Sequence, residues 1–244
     1  MATLSTTVDT AVDTAVDAAV VDLSISSVRE LNQALHAPDV ADKSCTWRVT
    51  HPDGRHNVAV GLDAAIDVEI DGHVGYYCAG MNKTAAITIN GNAGVGVAEN
   101  MMSGTVRVRG NASQAAAATA HGGLLVVEGS AAARCGISMK GVDIVVGGSV
   151  GDFSAFMAQA GRLVICGDAG DALGDSLYEA VIYVRGKIKS LGADAHEEPM
   201  TNADYDALKT LLEKAGMKHD PKEFRRVASK RELYHWNADS NQEY

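Results

Sequence analysis

Seven glycines recur at a strict interval of nineteen residues through the middle of this chain. They form what we call the glycine ladder: Gly72, Gly91, Gly110, Gly129, Gly148, Gly167 and Gly186. A short period that does not vary is typical of one supersecondary unit copied in tandem, and a unit this small buries its apolar face only against its neighbours. The sequence therefore predicts a solenoid.

Two aliphatic columns precede the ladder in every repeat. The residues four positions before the glycine are Val68, Ile87, Val106, Leu125, Ile144, Leu163 and Ile182, and those two before it are Ile70, Ile89, Val108, Val127, Val146, Ile165 and Val184. In the early copies the residues between them are polar, as at Glu69, Thr88 and Arg107. This alternation is typical of a half-buried strand, so each repeat is predicted to begin with one.

Small residues follow the ladder at two further positions, as at Ala93 and Ala98. Strands joined by small-residue corners indicate an all-β fold, a right-handed parallel β-helix of about seven rungs, because crossover connections strongly favour that hand. We expect glycine in the ladder because tight corners often need φ > 0 and because coils stack closely there. The run Gly91 to Gly96 is interpreted as one more corner rather than a phosphate loop, since it keeps the register of the repeats.

The chain divides into four predicted parts: an acidic, flexible tail at 1–22, an N-terminal α/β cap at 23–64, the β-helix at 65–195 and a helical extension at 196–244. In the cap, a capping box at 27–30 predicts a helix over 27–36. Turn residues at 51–54, flanked by apolar runs, predict a hairpin.

The C-terminal extension is predicted to contain two helices. Thr201 or Asn202 can cap the first, which ends at Gly216. Pro221 then begins a basic stretch from Lys222 to Leu233 that is predicted to be the second.

Composition restricts the function classes. The 244 residues carry a formal net charge of −10, which disfavours nucleic acid and anionic lipid as partners, and no apolar stretch reaches membrane-spanning length. We expect a cytoplasmic location. Four cysteines (Cys45, Cys78, Cys135 and Cys166) form no C-x-x-C pair, so free thiols are expected and no metal site is predicted.

One segment departs most from the repeat and is the predicted partner or active-site contact: Tyr76, Tyr77, Met81, Asn82 and Lys83. Departures from a repeat are where function is usually added. Other methionines fall at similar positions nine to eleven residues after a ladder glycine, namely Met101, Met102, Met139 and Met157. They either extend an adaptable face or fill the end of the core.

Several stretches together resemble a known family. The repeats tend towards G-x-x-G-x-x-x-G, complete from Gly167 to Gly174, and this resembles the GXGXG domain, the β-helix of the glutamate synthase large subunit. R-E-L-N-Q-A-L at 29–35, V-A-V-G-L at 58–62 and G-Y-Y-C-A-G-M-N at 75–82 are more closely similar to the stand-alone β-helix subunits of N-methylglutamate synthases. Formylmethanofuran dehydrogenase contains a domain of the same kind, which is a more distant relative.

The resemblance implies a non-catalytic subunit of a multi-subunit enzyme. Its implied partners are a glutamine amidotransferase-like subunit and a synthase-like subunit with FMN and iron–sulfur clusters, so no cofactor is expected on this chain alone. The implied reaction joins glutamate and methylamine into N-methylglutamate with release of ammonia. Ala2 follows Met1, so we expect no N-terminal cysteine nucleophile of the amidotransferase kind, and no catalytic residue is predicted.

Three alternatives stay open. The chain could serve a glutamate synthase or a formylmethanofuran dehydrogenase-like oxidoreductase instead, or be a self-assembling scaffold. A carbohydrate-active β-helix would need paired carboxylates and aromatic platforms. Only 5% of the residues are aromatic, although four acidic candidates gather in adjacent repeats: Asp152, Asp168, Asp171 and Asp175.

Overall fold

A computed structural model describes residues 19–40 and 46–232. The described strands form one sheet in the order β1-β2-β3-β4-β5-β6-β7-β8-β9-β11-β10. Their bounds are β1 Ala19–Asp22, β2 Trp47–Thr50, β3 Asp67–Asp71, β4 Ala86–Ile89, β5 Thr105–Val108, β6 Leu124–Val127, β7 Lys140–Val146, β8 Ala160–Ile165, β9 Val181–Val184, β10 Ala195–Glu198 and β11 Arg225–Ser229. Two helices, α1 (Val28–Leu35) and α2 (Asn202–Ala215), and a 3₁₀ turn (Pro221–Glu223) complete the described elements.

The nineteen-residue period is the register of the coil. Val68 pairs with Ile87 and Ile87 with Val106, and the same column continues to Ile182 through parallel strands. A second column of single bridges runs from Val74 to Ile188. The two aliphatic columns of the strands, four and two residues before the ladder glycine, point inward and are buried. The prediction of a parallel β-solenoid of about seven turns is confirmed.

Close stacking, rather than corner geometry, accounts for the ladder glycines. Of the seven, only Gly72 has a φ in the left-handed region, at +137°, so the expectation of positive φ is wrong for the other six. A Cβ added to Gly91 would lie 2.4 Å from the carbonyl oxygen of Gly72. Further along, the amide of Gly110 donates to the carbonyl of Gly91 at 3.0 Å. The backbones therefore approach too closely for any side chain.

The position after the ladder forms a second, polar ladder. The side-chain oxygen of Asn92 accepts from the backbone amide of Asn111 at 2.8 Å, and Asn111 does the same for Ser130 at 2.8 Å. The column continues through Ser149 to Asp168, whose carboxylate accepts from the amide of Lys187 at 2.7 Å. These side chains satisfy backbone donors at the corner, where no regular strand is present to do so.

The N-terminal region differs from the predicted cap. The capping box is confirmed, since Ser27 is the N-cap of α1 and Glu30 completes the box. The predicted hairpin is wrong, because β2 lies parallel between β1 and β3 and residues 58–60 form no strand. The turn residues at 51–54 are the corner of an additional coil. Strand β1 occupies residues 19–22 of the expected flexible tail, and residues 1–18 lie outside the described part of the chain.

The C-terminal region contains one of the two predicted helices. Helix α2 begins after the N-cap Thr201, which forms a capping box with Asp204, and ends at Gly216 with φ 74°. The prediction of a second helix is wrong. The 3₁₀ turn leads instead into β11, which pairs antiparallel with both β9 and β10. Hydrogen bonding to the free edge of β9, the last parallel strand, stabilises a strand here more than the local sequence pattern stabilises a helix. Residues 233–244 are not described.

Helix α2 covers the outer face of the later strands. The outward column that carries Glu69, Thr88 and Arg107 early in the solenoid becomes apolar at Val126, Val145, Val164 and Tyr183. These side chains form a second core with the helix residues Leu208, Leu211, Leu212 and Ala215. Where the column turns apolar, Arg107 donates to the carbonyl of Ala215 at 3.1 Å and so caps the helix C-terminus.

Candidate functional site

One side of the solenoid consists of turn segments whose exposed side chains stack from coil to coil. In the six coils that follow Gly72 to Gly167, the positions five, seven and nine residues after the ladder glycine have left-handed φ values, such as 58° at Tyr77 and 56° at Met81. Large apolar side chains are exposed in or beside these segments at Tyr76, Tyr77, Met81, Met102 and Phe153. We call this side the turn surface.

Backbone hydrogen bonds show that the turn surface is continuous. The amide of Tyr77 donates to Val95, that of Gly96 to Gln114, and that of Phe153 to Asp171, each by the same step from one coil to the next. Tyr77 and Phe153 occupy equivalent positions four coils apart, which is about 19 Å at the usual strand spacing. Exposed aromatic rings therefore lie in the first and the fifth of these coils.

The N-terminal end of the turn surface is built around Tyr76. Its ring stacks on His56 with centroids 4.5 Å apart and planes at 15°. Its backbone amide donates to Nδ1 of His56 at 2.9 Å, which leaves Nε2 to carry the proton of the neutral ring. Tyr77 meets Tyr76 edge to face at 6.4 Å. His56 escaped the sequence analysis because its contact with Tyr76 spans two coils and leaves no local motif.

Two of the predicted contact residues have different surroundings. Asn82 is fully buried, and its amide group binds both the N–H and the C=O of Ala85 at 3.2 and 2.8 Å. It shapes the turn before β4 and does not lie on the turn surface. Lys83 is exposed and pairs with Asp63 at 3.0 Å.

The methionines divide between the two roles left open for them. Met101 and Met139 are fully buried in the solenoid core, whereas Met81 and Met102 are exposed. Met157 is partly buried. The structure thus brings Tyr76, Tyr77 and Met81 together, and adds Phe153, which the sequence analysis did not single out.

A shallow cavity of about 490 Å³ adjoins His56 on the side of α1. Its lining includes Arg29, Asn32 and Gln33 of the helix. Asn32 donates from Nδ2 to the carbonyl of Asn57 at 2.8 Å, while its buried Oδ1 has no partner among the described residues. Helix α1 and the N-terminal end of the turn surface, around Tyr76, therefore form one continuous region.

The acidic candidates for carbohydrate chemistry act as backbone acceptors. Asp152 accepts from the amide of Asp171 at 2.7 Å, Asp168 from Lys187 at 2.7 Å, and Asp175 from Ala193 at 3.2 Å. Asp171 pairs with Lys189, which lowers the pKa of its carboxyl. These contacts account for the acidic cluster as part of the corners between coils.

The described thiols lie in the interior. Burial raises the pKa of Cys135 to about 12 and that of Cys166 to about 11, the latter opposed by Arg185. Burial also raises the pKa of Cys78. Within residues 19–40 and 46–232, no group of three or more His, Cys, Asp or Glu side chains is placed to hold a metal ion. No helix in these ranges is long and apolar enough to cross a membrane.

The fold and the turn surface define a parallel β-solenoid protein with a lateral helix and one side of exposed aromatic and methionine side chains. The chain is 54% identical over 226 residues to Protein GlxC of Rhizobium meliloti (strain 1021). The aligned region covers 92% of this chain and 99% of that protein. The chain belongs to the same family as Protein GlxC. No family model matches it, and no solved structure matches it.

Proposed function

We propose that this chain is the non-catalytic β-solenoid subunit of a glutamate synthase-like complex, and specifically of an N-methylglutamate synthase. In this role it joins a glutamine amidotransferase-like subunit to a synthase-like subunit that carries FMN and iron–sulfur clusters. The complex forms N-methylglutamate from glutamate and methylamine with release of ammonia.

The meeting of two separate sequence stretches carries the proposal. Residues 29–35 and 75–82, two of the stretches that resemble N-methylglutamate synthase subunits, are about two coils apart in sequence. In the fold they meet through a short relay: Asn32 donates to Asn57, and the amide of Asn57 donates to the carbonyl of Tyr76 at 2.8 Å. The residues that resemble N-methylglutamate synthase subunits are therefore concentrated at the N-terminal end of the turn surface, around Tyr76.

The chemistry of the turn surface suits a protein partner. Tyrosine, phenylalanine and methionine are enriched at protein interfaces, where they supply large contact areas. Tyr76, Tyr77 and Met81 are each about half exposed, at 50%, 45% and 53%. Exposed apolar side chains grouped in this way mark interaction sites more often than isolated ones do.

The rigidity of the solenoid supports an architectural role. Seven coils share one core, and each backbone corner is tied to the next by hydrogen bonds. Partners bound near Tyr77 and near Phe153 would be held about 19 Å apart on one body. A rigid spacer of this kind keeps two active sites in register while an amine passes between them.

Reconstitution from purified subunits tests the proposal. The full-length chain is mixed with an amidotransferase-like and an FMN-bearing synthase-like subunit, and complex formation is measured by light scattering together with the visible absorbance of the bound flavin. The product is measured with methylamine and, separately, with ammonia as the amine. N-methylglutamate formed from glutamate and methylamine only by the complete mixture supports the proposal; a mixture that instead forms only glutamate, from 2-oxoglutarate, ammonia and an added reductant, would assign the chain to a glutamate synthase.

A surface variant with a matched control locates the contact. The double change Tyr77→Ser and Met81→Ser is expected to weaken assembly at least about tenfold, as for loss of interface anchors. Ile25→Ser is the control, because Ile25 is 87% exposed and lies outside the turn surface. Equal assembly by both variants would contradict the use of the turn surface.

A further inference from the structure

The cavity beside α1 lies between one stripe of the helix and the corner of the neighbouring coil. Its helical wall is formed by residues of α1 and its C-cap that lie three or four positions apart: Val28, Arg29, Asn32, Gln33 and His36. His56 and Asn57 form the opposite wall. We call this cavity of about 490 Å³ the α1 cleft.

The wall opposite α1 presents a fixed N–H donor. A Cβ added to Gly75 would lie 2.1 Å from Nδ1 of His56, so the imidazole ring packs directly against bare backbone. Tyr76 stacks on the same ring, and its amide donates to Nδ1 at 2.9 Å. These contacts hold the ring in place and leave Nε2–H as the donor that a ligand in the cleft can use.

The helical wall presents a cation without a counter-ion. Arg29 is exposed, and its guanidinium forms no ion pair or hydrogen bond with the residues that the structure describes. The adjacent carboxylate of Glu30 accepts instead from the backbone amide and the hydroxyl of Ser27, both at 2.8 Å. None of the described residues that line the cleft carries a carboxylate. In a chain with a net charge of −10, this cleft therefore favours an anionic group.

The cleft also contains an acceptor that lacks a donor. Asn32 donates from Nδ2 to the carbonyl of Asn57 at 2.8 Å, and its buried Oδ1 has no partner among the described residues. Buried polar atoms are nearly always hydrogen-bonded, so an N–H group entering the cleft would complete this side chain. A carboxylate close to an amide N–H is what an acidic residue in a peptide chain offers.

The shape of the cleft favours a protein segment over a small molecule. Small-molecule sites enclose most of the surface of their ligand. The α1 cleft is shallow, and Arg29, Gln33 and His56 on its two walls are all exposed. At His56 the cleft continues into the turn surface through the stacked ring of Tyr76. A chain segment that crosses the cleft can therefore run on to the exposed tyrosines.

We propose that the α1 cleft binds an acidic segment of a partner protein, whose carboxylate is held by Arg29 and His56. A backbone N–H of the same segment donates to Asn32. The guanidinium of Arg29 suits this role because it can donate two parallel hydrogen bonds to one carboxylate. The partner that carries the segment is a subunit of the proposed complex, so this inference rests on the proposed function and deepens it.

Two peptides that differ only in charge test the site on the full-length chain. Acetyl-Ala-Glu-Ala-amide and acetyl-Ala-Gln-Ala-amide are titrated, and NMR follows the ring Hε1 resonance of His56, assigned by its loss in His56→Gln. The Glu peptide is expected to bind at least about fivefold more tightly, because only a carboxylate gains from Arg29. Arg29→Gln is expected to abolish the preference. The control Arg109→Gln, at a side chain that contacts Asn90 and Glu128 in other coils, is expected to keep it.

The titration can overturn the inference in several ways. Equal binding of the two peptides would mean that the cleft does not recognise a carboxylate, and a preference that survives Arg29→Gln would place the site elsewhere. Acetate that binds as tightly as the Glu peptide would indicate a simple anion site rather than a site for a chain segment. An unchanged His56 resonance up to about 20 mM Glu peptide, which reveals even millimolar affinity, would also overturn it.

Assembly with the partner subunits separates this inference from the proposed function. In the reconstituted mixture Arg29→Gln is expected to weaken assembly at least about fivefold and to reduce its dependence on salt, whereas Arg109→Gln should behave as wild type. Unchanged assembly of Arg29→Gln, where the double change Tyr77→Ser and Met81→Ser weakens it, would overturn this inference alone. Failure of the wild-type chain to assemble would contradict the proposed function, and the peptide titration then decides the carboxylate site by itself.

Discussion

The ring of Tyr77 lies directly over the backbone of Gly96, the equivalent residue in the next coil. A Cβ added to Gly96 would come within 2.7 Å of Cδ1 of Tyr77 and 2.8 Å of a carboxylate oxygen of Glu99. Gly96 also has φ +73°. The exposed position of Tyr77 on the turn surface therefore depends on a glycine in its neighbour.

Gly96→Ala is expected to lower the free energy of unfolding by about 1–2 kcal/mol, because a Cβ there is strained and displaces the Tyr77 ring. Chemical denaturation measures the loss. In a double-mutant cycle with Tyr77→Ala, part of the penalty disappears, since the ring is no longer in the way. An identical penalty in both backgrounds would mean that ring and glycine do not interact.

The ladder glycines give a sharper steric contrast. In Gly91→Ala the new Cβ would meet the carbonyl oxygen of Gly72 at 2.4 Å and the amide nitrogen of His73 at 2.9 Å, all backbone. We expect a loss of about 3 kcal/mol or more, at the upper end of overpacking costs, seen as a fall in the thermal midpoint. Gly54→Ala is the control. Gly54 has φ +73° but nothing within 4 Å of its Cβ position, so the cost is about 1–2 kcal/mol of backbone strain.

Two neighbouring residues at the end of β5, one inward and one outward, provide the test of register. Val108 in β5 is fully buried, so Val108→Asp places a charge in the solenoid core and is expected to unfold the domain. Arg109, the next residue, is exposed and donates to Asn90 at 2.8 Å. Arg109→Ala should change stability by no more than about 1 kcal/mol. Thermal melting that tolerates both changes equally would contradict the register.

The periodic columns were enough to predict the strands and the stacking of the solenoid, because each column is under the same constraint in every coil. Elements outside the repeat were harder to predict from the sequence. Residues 51–54 are good turn residues, but a corner of a parallel coil uses the same residue types as a hairpin. The local pattern at residues 225–229 favours a helix, since nothing local shows that the edge of β9 needs a partner.

The candidate site shows the same division. Departure from the repeat drew attention to Tyr76, Tyr77 and Met81, whose side chains are all exposed; their contact with a partner stays a prediction. It misled at Asn82, because a residue that closes a buried turn departs from the repeat just as a contact residue does. The docking of α2 left a readable signal: the outward column becomes apolar from Val126 onwards, which a strand facing water would not do.

The last prediction concerns how α2 is fixed to the sheet. Asp204, 9% exposed, accepts from the hydroxyl of Tyr183 at 2.7 Å and from Arg226 at 3.2 Å, and closes the capping box with Thr201. Burial alone would raise the pKa of this carboxyl, but the hydrogen bonds from Thr201 and Tyr183 outweigh it and lower the pKa.

Because the folded pKa is below the ordinary value of about 4, the stabilisation is present above that pH and is lost as the pH falls through the folded pKa. Asp204→Asn is expected to cost about 2 kcal/mol between about pH 5 and 7, the size of a buried hydrogen bond to a charged group. The deficit should shrink as the pH falls below about 4, because the unfolded chain takes up a proton at this carboxyl first and the folded protein does so only at its lower pKa. Asp206→Asn on the exposed side of α2 is the matched control, with a change within about 0.5 kcal/mol. Urea titrations of the three proteins across this range measure the difference, and a deficit that is the same at about pH 3 and pH 7 would show that the charge of Asp204 does not hold α2 in place.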